Sequence, residues 1–339
     1  MTWFVRPARE DDLEALLDLA KMTGGGFTNL PPNRDALERR LAWSSASYTR
    51  NLPAPDNELY LLFLEDSETG RIGGTACLFS RVGVEWPFYS YKLGTVTQTS
   101  RELKRSFAMQ TLYLVNDYDG ASEVGGLFLH PELRVAGLGR LLARSRYLFM
   151  AQHRERFGDR VLAELRGRMT ADGGSPFWDG LGAKFFGMPF QEADDFNSLY
   201  GNQFIADLMP KHPIYVSMLP DSAREVSGHP HASGLPAKRL LESEGFAYDG
   251  YVDIFDGGPT MCARTDNVRT VRDSREAALG ETVFGAGGLP PALLATGHLT
   301  EFRAWTGHSD WCADGLVLPA EDAAFHGLKI GDRVRHAPA

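Results

Sequence analysis

The sequence predicts an α/β fold of the α+β kind, a mixed sheet flanked by helices, and three observations carry that prediction. Apolar residues recur at helical spacing in well-separated stretches, short β-rich runs lie between them, and the two patterns interleave along the chain. In order, Leu13, Leu16, Leu17 and Ala20 follow the acidic pair Asp11 and Asp12, which offers an N-cap, and Gly24-Gly25-Gly26 stops that helix. Residues 58–64 and 72–79 flank the turn-like stretch Asp66 to Gly70 and predict an antiparallel hairpin. Residues 112–115 and 124–129 predict further strands, after which Leu138, Leu141, Leu142, Ser145, Leu148 and Phe149 lay a stripe along one helix. Val161 to Leu165 reads as a strand and Phe177 to Phe186 as another helix.

A second α/β half follows: Leu235 to Glu244 predicts a short helix closed by Gly245, and Phe246 to Phe255 alternates like a strand. Leu181 to Phe185 and Leu241 to Phe246 are similar as helix-to-strand junctions, which points to two related halves. From about residue 265, the pair Pro290-Pro291 and the ending Gly327 to Arg335 predict a small β-rich segment. The expected organisation is therefore 1–190, 191–264 and 265–339.

At 339 residues and 43% hydrophobic content, the chain has material for a sizeable core and, at about 150 residues per domain, for roughly two domains. A net charge of −9 without a long basic run disfavours duplex nucleic acid and anionic membranes as partners and favours a small-molecule substrate. No apolar run approaches the roughly 18 residues that span a bilayer, and the N-terminal residues lack a basic segment followed by an apolar core, so a cytoplasmic protein is expected. Cys77, Cys262 and Cys312 are scattered and show no CxxC spacing, which predicts buried free thiols and no metal site.

The most informative stretch is residues 127–140. A strand and a short turn lead into Arg134-x-x-Gly137-x-Gly139 at the mouth of an amphipathic helix. Glycines there let backbone N–H groups approach a polyanion, and the helix N-terminus adds partial positive charge and free donors. Arg134 and Arg140 supplement such a cradle with charge-assisted hydrogen bonds. The plainer alternative is a glycine-rich turn without a ligand. GxxxxGKS and GxGxxG with a distal ribose-binding acid are both missing, so the phosphates belong to something other than ATP or NAD.

The strand followed by RxxGxG resembles the coenzyme A pyrophosphate motif of the GCN5-related N-acetyltransferase superfamily. More closely, the chain resembles the arginine N-succinyltransferase family, on residues 23–31, 64–70, 116–123, 175–182, 204–215 and 253–260, a likeness that covers most of residues 3 to 270. The resemblance implies an acyl-CoA N-acyltransferase-like fold and transfer of succinyl from succinyl-CoA to the α-amino group of L-arginine, the entry step of an arginine breakdown pathway. It implies succinyl-CoA as a co-substrate with no permanently bound cofactor. It also implies an oligomer, either of this chain alone or paired with a paralogous subunit.

By the same resemblance, Leu127 meets succinyl-CoA through its main chain, with Leu129 beside it, and a histidine before the helix ending in EGF is the catalytic acid. Ungapped counting places that acid on His231, while His229, followed by Pro230, mimics the family's His-Pro pair and stays open as the alternative. A group titrating near neutrality suits protonation of the departing CoA thiolate. The succinyl carboxylate needs donors, for which Lys211 and His212 or Arg166 and Arg168 are candidates; the guanidinium of arginine needs acids, for which Asp194, Asp195, Asp253 and Asp256 are candidates. The loop Gly24 to Pro32 is a candidate wall of the acceptor site. Within the same chemistry, ornithine or another amine and acetyl-CoA or another donor are alternatives; a non-catalytic protein binding CoA or arginine is the alternative of another class.

Overall fold

The computed structural model describes residues 3–23, 29–51, 53–134, 137–200 and 203–339. Its strands are β1 (Trp3–Pro7), β2 (Leu59–Asp66), β3 (Ile72–Phe79), β4 (Ser90–Ser100), β5 (Arg105–Val115), β6 (Ser122–Leu129), β7 (Arg160–Glu164), β8 (Ile214–Tyr215), β9 (Ala247–Val252), β10 (Pro259–Arg264), β11 (Arg275–Val283), β12 (Pro291–Thr296), β13 (Arg303–His308), β14 (Asp310–Cys312), β15 (Gly315–Pro319) and β16 (Arg333–Pro338). Among the described residues they form one hydrogen-bonded series, β14-β15-β11-β16-β12-β13-β1-β2-β3-β6-β7-β10-β9-β4-β5-β8, in which β6–β7 and β11–β15 are the parallel pairs. The helices are α1 (Leu13–Lys21), α2 (Arg34–Thr49), α3 (Leu138–Gln152), α4 (Pro176–Gly180), α5 (Ala183–Phe186), α6 (Phe190–Tyr200), α7 (Gln203–Leu208), α8 (Asp221–Val226), α9 (Leu235–Ser243), α10 (Arg269–Asp273) and α11 (Ala320–Phe325).

The expected mixed sheet flanked by helices is present, and its centre explains the continuous apolar run of β2. Successive side chains of a strand point to opposite faces. Tyr60, Leu62 and Leu64 pack with Leu141, Leu142 and Leu148 of α3, whereas Leu59, Leu61 and Phe63 pack with Leu16, Leu17 and Leu37 of α1 and α2. Both faces are covered, so both sets are apolar. The helix α2 has no clear apolar stripe because its buried face carries serines. Ser44 and Ser47 accept the Leu61 and Leu59 backbone N–H at 3.0 and 3.1 Å.

Several expectations change in detail. Asp12 is not a side-chain cap of α1; its carboxylate instead takes Arg6 at 2.7 and 2.9 Å and the Arg9 amide at 2.7 Å, a buried pairing that outweighs a local cap. The predicted helix 177–186 breaks at Leu181 into α4 and α5, which lets the Trp178 indole donate to the Met188 carbonyl at 2.9 Å and stack between Phe186 and Phe255. No strand follows that break, so Leu181 to Phe185 is not a helix-to-strand junction and does not match Leu241 to Phe246. Cys77 is buried as expected, but Cys262 and Cys312 are only half-buried.

The C-terminal segment is β-rich as expected and continuous with the rest: β13 pairs with β1 through Phe4↔Trp305 and Val5↔Ala304. His153 of the loop after α3 adds a buried clasp, its Nδ1 donating to the Phe149 carbonyl at 3.0 Å and its Nε2 accepting the Leu299 amide at 3.1 Å. Among the described residues no helix is long and apolar enough to cross a membrane.

Candidate active site

The strands β6 and β7 pair only through Ser122↔Val161 and Glu123↔Leu162. Beyond that point they diverge, and residues 124–127 face residues 163–166 across a cavity of about 1270 Å³, its open mouth included. On its other side, β6 slips against β3: Cys77 pairs with Gly125 but Thr75 pairs with Phe128, which leaves one extra residue at Gly126-Leu127. Gly126 takes φ +54, and a Cβ there would also lie 3.0 Å from the Cys77 sulfur. Such a bulge re-aims the main chain, and here it turns Leu127 toward the cavity that it lines. Leu129 does not line the cavity; it packs on the core, and its carbonyl accepts the Arg134 Nε at 3.2 Å.

The predicted phosphate loop runs from β6 to α3. Gly137 is the N-cap of α3 with φ +85, a conformation that glycine adopts freely, and no side chain occupies the cap. A Cβ on Gly137 would touch nothing within 4 Å, so the demand there is conformational rather than steric. A Cβ on Gly139 would meet Leu129 at 3.7 Å. Arg134 and Arg140 are both exposed, with the Arg134 guanidinium 5.7 Å from the centre of the Phe128 ring. Val135 and Ala136 of the predicted loop lie outside the described residues; on either side of them stand two exposed cations and the N-terminus of α3.

His231 comes from the other half of the chain and stands two residues before Ser233, which lines the same cavity. Its amide donates to the Arg166 carbonyl at 2.7 Å, and Pro230 bridges Gly167, so the segment extends the end of β7. Its Nδ1 accepts the Ser233 amide at 3.2 Å and lies 2.7 Å from the Ser233 hydroxyl. In the neutral ring this places the proton on Nε2. Ser233 and Gly234 line the cavity, while the His231 side chain itself does not. His229 is exposed, held by its amide to the Val226 carbonyl at 3.0 Å. Among the described residues no group of three His, Cys, Asp or Glu is placed to hold a metal.

One wall of the cavity is acidic, with Glu164, Asp194, Asp253 and Asp256 among its lining residues and Glu123 buried behind it. Asp253 turns one oxygen onto the Phe255 and Asp256 amides at 2.7 and 2.8 Å; Asp256 accepts Gly167 and Gly258 at 2.7 and 2.8 Å, which clasps the 253–258 turn to the end of β7. Burial pushes all four of Glu123, Glu164, Asp253 and Asp256 above the usual carboxylate range, Asp256 to about 8 and Glu123 to about 7. The Asp253 charge reinforces the rise at Glu123, Glu164 and Asp256, while Asn29, which donates to Glu123 at 3.0 Å, opposes it. Such a cluster suits a cationic ligand, whose charge replaces the protons it holds.

Of the side chains proposed for substrate selection, Arg166, Asp194, Asp253 and Asp256 line the cavity. Lys211, His212 and Arg168 are exposed and do not line it. Gly24 to Thr28 of the proposed acceptor loop and the Asp195 side chain lie outside the described residues; Asn29, within that loop, lines the cavity. Sequence reasoning missed Arg146 and Glu164, which both line the cavity. A signal was present in each case: Arg146 interrupts the apolar face of α3 four residues after Leu142, and Glu164 interrupts the apolar run of β7.

Comparison with known proteins agrees with this geometry. The family model described as arginine N-succinyltransferase beta subunit matches residues 3–270. The arginine N-succinyltransferase of Escherichia coli (strain 55989 / EAEC) is 42% identical over 331 residues, covering 98% of this chain and 96% of the relative, and that of Shigella flexneri is 41% identical over the same length. Among solved structures, arginine/ornithine succinyltransferase subunit AI from Pseudomonas aeruginosa superposes with a TM-score of 0.87 at 33% identity, covering 99% of this chain and 98% of that one. On the match over most of its length, the chain belongs to the arginine N-succinyltransferase family.

Proposed function

We propose that this protein transfers the succinyl group of succinyl-CoA to the α-amino group of L-arginine, giving N2-succinyl-L-arginine and CoA, the first step of arginine catabolism by the succinyltransferase route. The observation that carries the reading is one cavity, opened by the bulge and splay of β6 and β7, with a strongly acidic wall and an exposed basic turn at the end of the same strand. The turn of Arg134, Gly137, Gly139 and Arg140 receives the pyrophosphate, and the Leu127 main chain orients the thioester. The acidic wall receives the cationic acceptor.

The amine nitrogen attacks the thioester carbon and a C–N bond forms. The carbonyl electrons move onto oxygen, where backbone N–H groups at the bulge stabilise the oxyanion. As the intermediate collapses, the C–S bond breaks and His231, protonated on both nitrogens with its Nδ1–H on the Ser233 hydroxyl, gives its Nε2 proton to the departing sulfur and is left as the neutral ring. The proton lost by the amine replaces the one that His231 gave, through solvent. The division at 190 and 264, with the second half supplying this acid, belongs to the same proposal, as does a cytoplasmic enzyme working as an oligomer, alone or with a paralogous subunit. Leu103 and Phe107, exposed on the β4–β5 ribbon, support assembly. An arginine/ornithine enzyme among the relatives keeps ornithine as a second acceptor to assay.

The test is CoA thiol release from succinyl-CoA with and without L-arginine. We expect arginine-dependent release that falls about 100-fold or more in His231→Ala and persists in His229→Ala. Loss confined to His229→Ala moves the acid by two residues. No release from the wild type with arginine, ornithine or other amines sinks the transferase reading.

A further inference from the structure

Arg146 leaves α3 on its buried face with 3% of its surface exposed, and it lines the cavity beside the Gly126-Leu127 bulge. Its Nε donates to the Ala143 carbonyl at 3.0 Å, which folds the side chain back toward the start of α3, and its guanidinium carbon stands 5.6 Å from the centre of the Tyr147 ring. Among the described residues its two terminal nitrogens have no hydrogen-bond or ion-pair partner. Cys77 is close by, but burial pushes its thiol up to about 12, so it stays neutral and is no counter-ion. Arg166, across the cavity on the strand that holds His231, has a buried Nε that is also without a partner. These two are the Lys or Arg side chains lining the cavity among the described residues.

A guanidinium that faces a cavity without protein partners is free to take a ligand, and a planar fork matches a carboxylate through two parallel bonds. We propose that Arg146, assisted by Arg166, receives the distal carboxylate of the succinyl donor and thereby selects succinyl-CoA over uncharged acyl-CoAs. This rests on the succinyl-transfer reading above. The acidic side chains of the same cavity suit the cationic acceptor, which leaves the two arginines as the lining groups for the donor's carboxylate. An acyl chain that ends in a methyl group displaces cavity water from the guanidinium without replacing its hydrogen bonds, which is how a polar site rejects an analogue lacking its partner.

The experiment compares succinyl-CoA with butyryl-CoA, which carries a methyl where succinyl carries its carboxylate, in steady-state kinetics and in calorimetric titration. In the wild type, kcat/KM is expected to favour succinyl-CoA by about 100-fold or more. In Arg146→Leu that ratio collapses to within about 3-fold, and the affinity for succinyl-CoA falls about 10-fold relative to butyryl-CoA. Arg146→Lys, which keeps the charge without the fork, gives an intermediate ratio. Thermal unfolding of Arg146→Leu stays level or rises, because no buried partner is left unpaired; a structural role would lower it. A ratio in Arg146→Leu equal to that of the wild type overturns the proposal. If Arg146→Leu does not fold, an unchanged ratio in Arg146→Lys overturns it instead. Should the wild type transfer nothing from succinyl-CoA, the transferase reading falls, and the titration still decides the subsite: equal losses of affinity for both thioesters reject it.

Discussion

Two buried arginines stand two residues apart on α3 and have opposite surroundings. Arg144 points to the outer side, where Thr270 Oγ1 accepts at 2.9 Å, the Pro338 carbonyl at 2.7 Å, and the Glu244 carboxylate lies 3.1 Å away. Glu244 is in turn held by the Thr270 amide and hydroxyl at 2.8 and 2.9 Å. Arg146 points into the cavity and holds one carbonyl of its own helix. The first side chain is complete without a ligand and ties α3 to α9, α10 and the C-terminal strand; the second turns its terminal nitrogens to the cavity. Burial and charge are the same in both, so satisfaction of the guanidinium is what separates a strut from a receptor.

The largest effect that tests this contrast is on stability. Arg144→Leu leaves the Glu244 carboxylate buried without its cation, and we expect a loss of about 3–5 kcal/mol in denaturant unfolding. A transition that does not move removes the contrast. The double variant Arg144→Leu with Glu244→Leu should recover part of the loss, since no unpaired charge then remains.

Next in size is the effect of pH. The acidic wall holds its protons more tightly folded than unfolded, so its stabilising contribution is complete below the ordinary carboxylate range, near pH 4, and is lost as pH rises through about 7 for Glu123 and about 8 for Asp256. In the absence of acceptor, Tm should therefore fall between about pH 5 and pH 8 through this wall. L-Arginine should raise Tm most at the upper end, where the carboxylates are charged, and its binding should release protons to the buffer. An arginine-induced shift that shrinks with rising pH would count against a cationic acceptor at this wall.

The smallest expected effect sharpens the contrast at the start of α3. Gly137→Ala forces a Cβ into the left-handed region and should cost about 1 kcal/mol. Because the same turn is assigned to the pyrophosphate, KM for succinyl-CoA should rise severalfold while KM for arginine stays within twofold. Equal changes in both would make the turn a general structural element.

Sequence pattern carried much of the core and the phosphate turn because burial writes itself as periodicity. The β2–β3 hairpin and α3 are read from their apolar spacing, and Arg134-x-x-Gly137-x-Gly139 from a local need for small residues. Where polar groups do the packing, the pattern fails. The serines of α2 face the backbone of β2, and much of the β4–β5 ribbon is exposed on both faces, so neither segment shows an apolar period. The site was legible where a motif is contiguous and hidden where it is assembled. His231 is brought to Arg166 by backbone pairing at the end of β7, and Glu164 meets Asp253 because β10 pairs with β7 and the 253–258 turn clasps its end. Spacing along the chain contains no record of those encounters.

The junction of β1 with β13 also orders events during synthesis. The strand β1 lies between β2 and β13, so one of its two edges is completed only when the chain around Trp305 has left the ribosome. Until then a nascent chain presents an open strand edge bearing Phe4 and Val5, both of which are buried in the finished protein. Unsatisfied edges recruit other strands, so the emergence of β13 both covers that edge of β1 and ends the interval in which neighbouring nascent chains can join it.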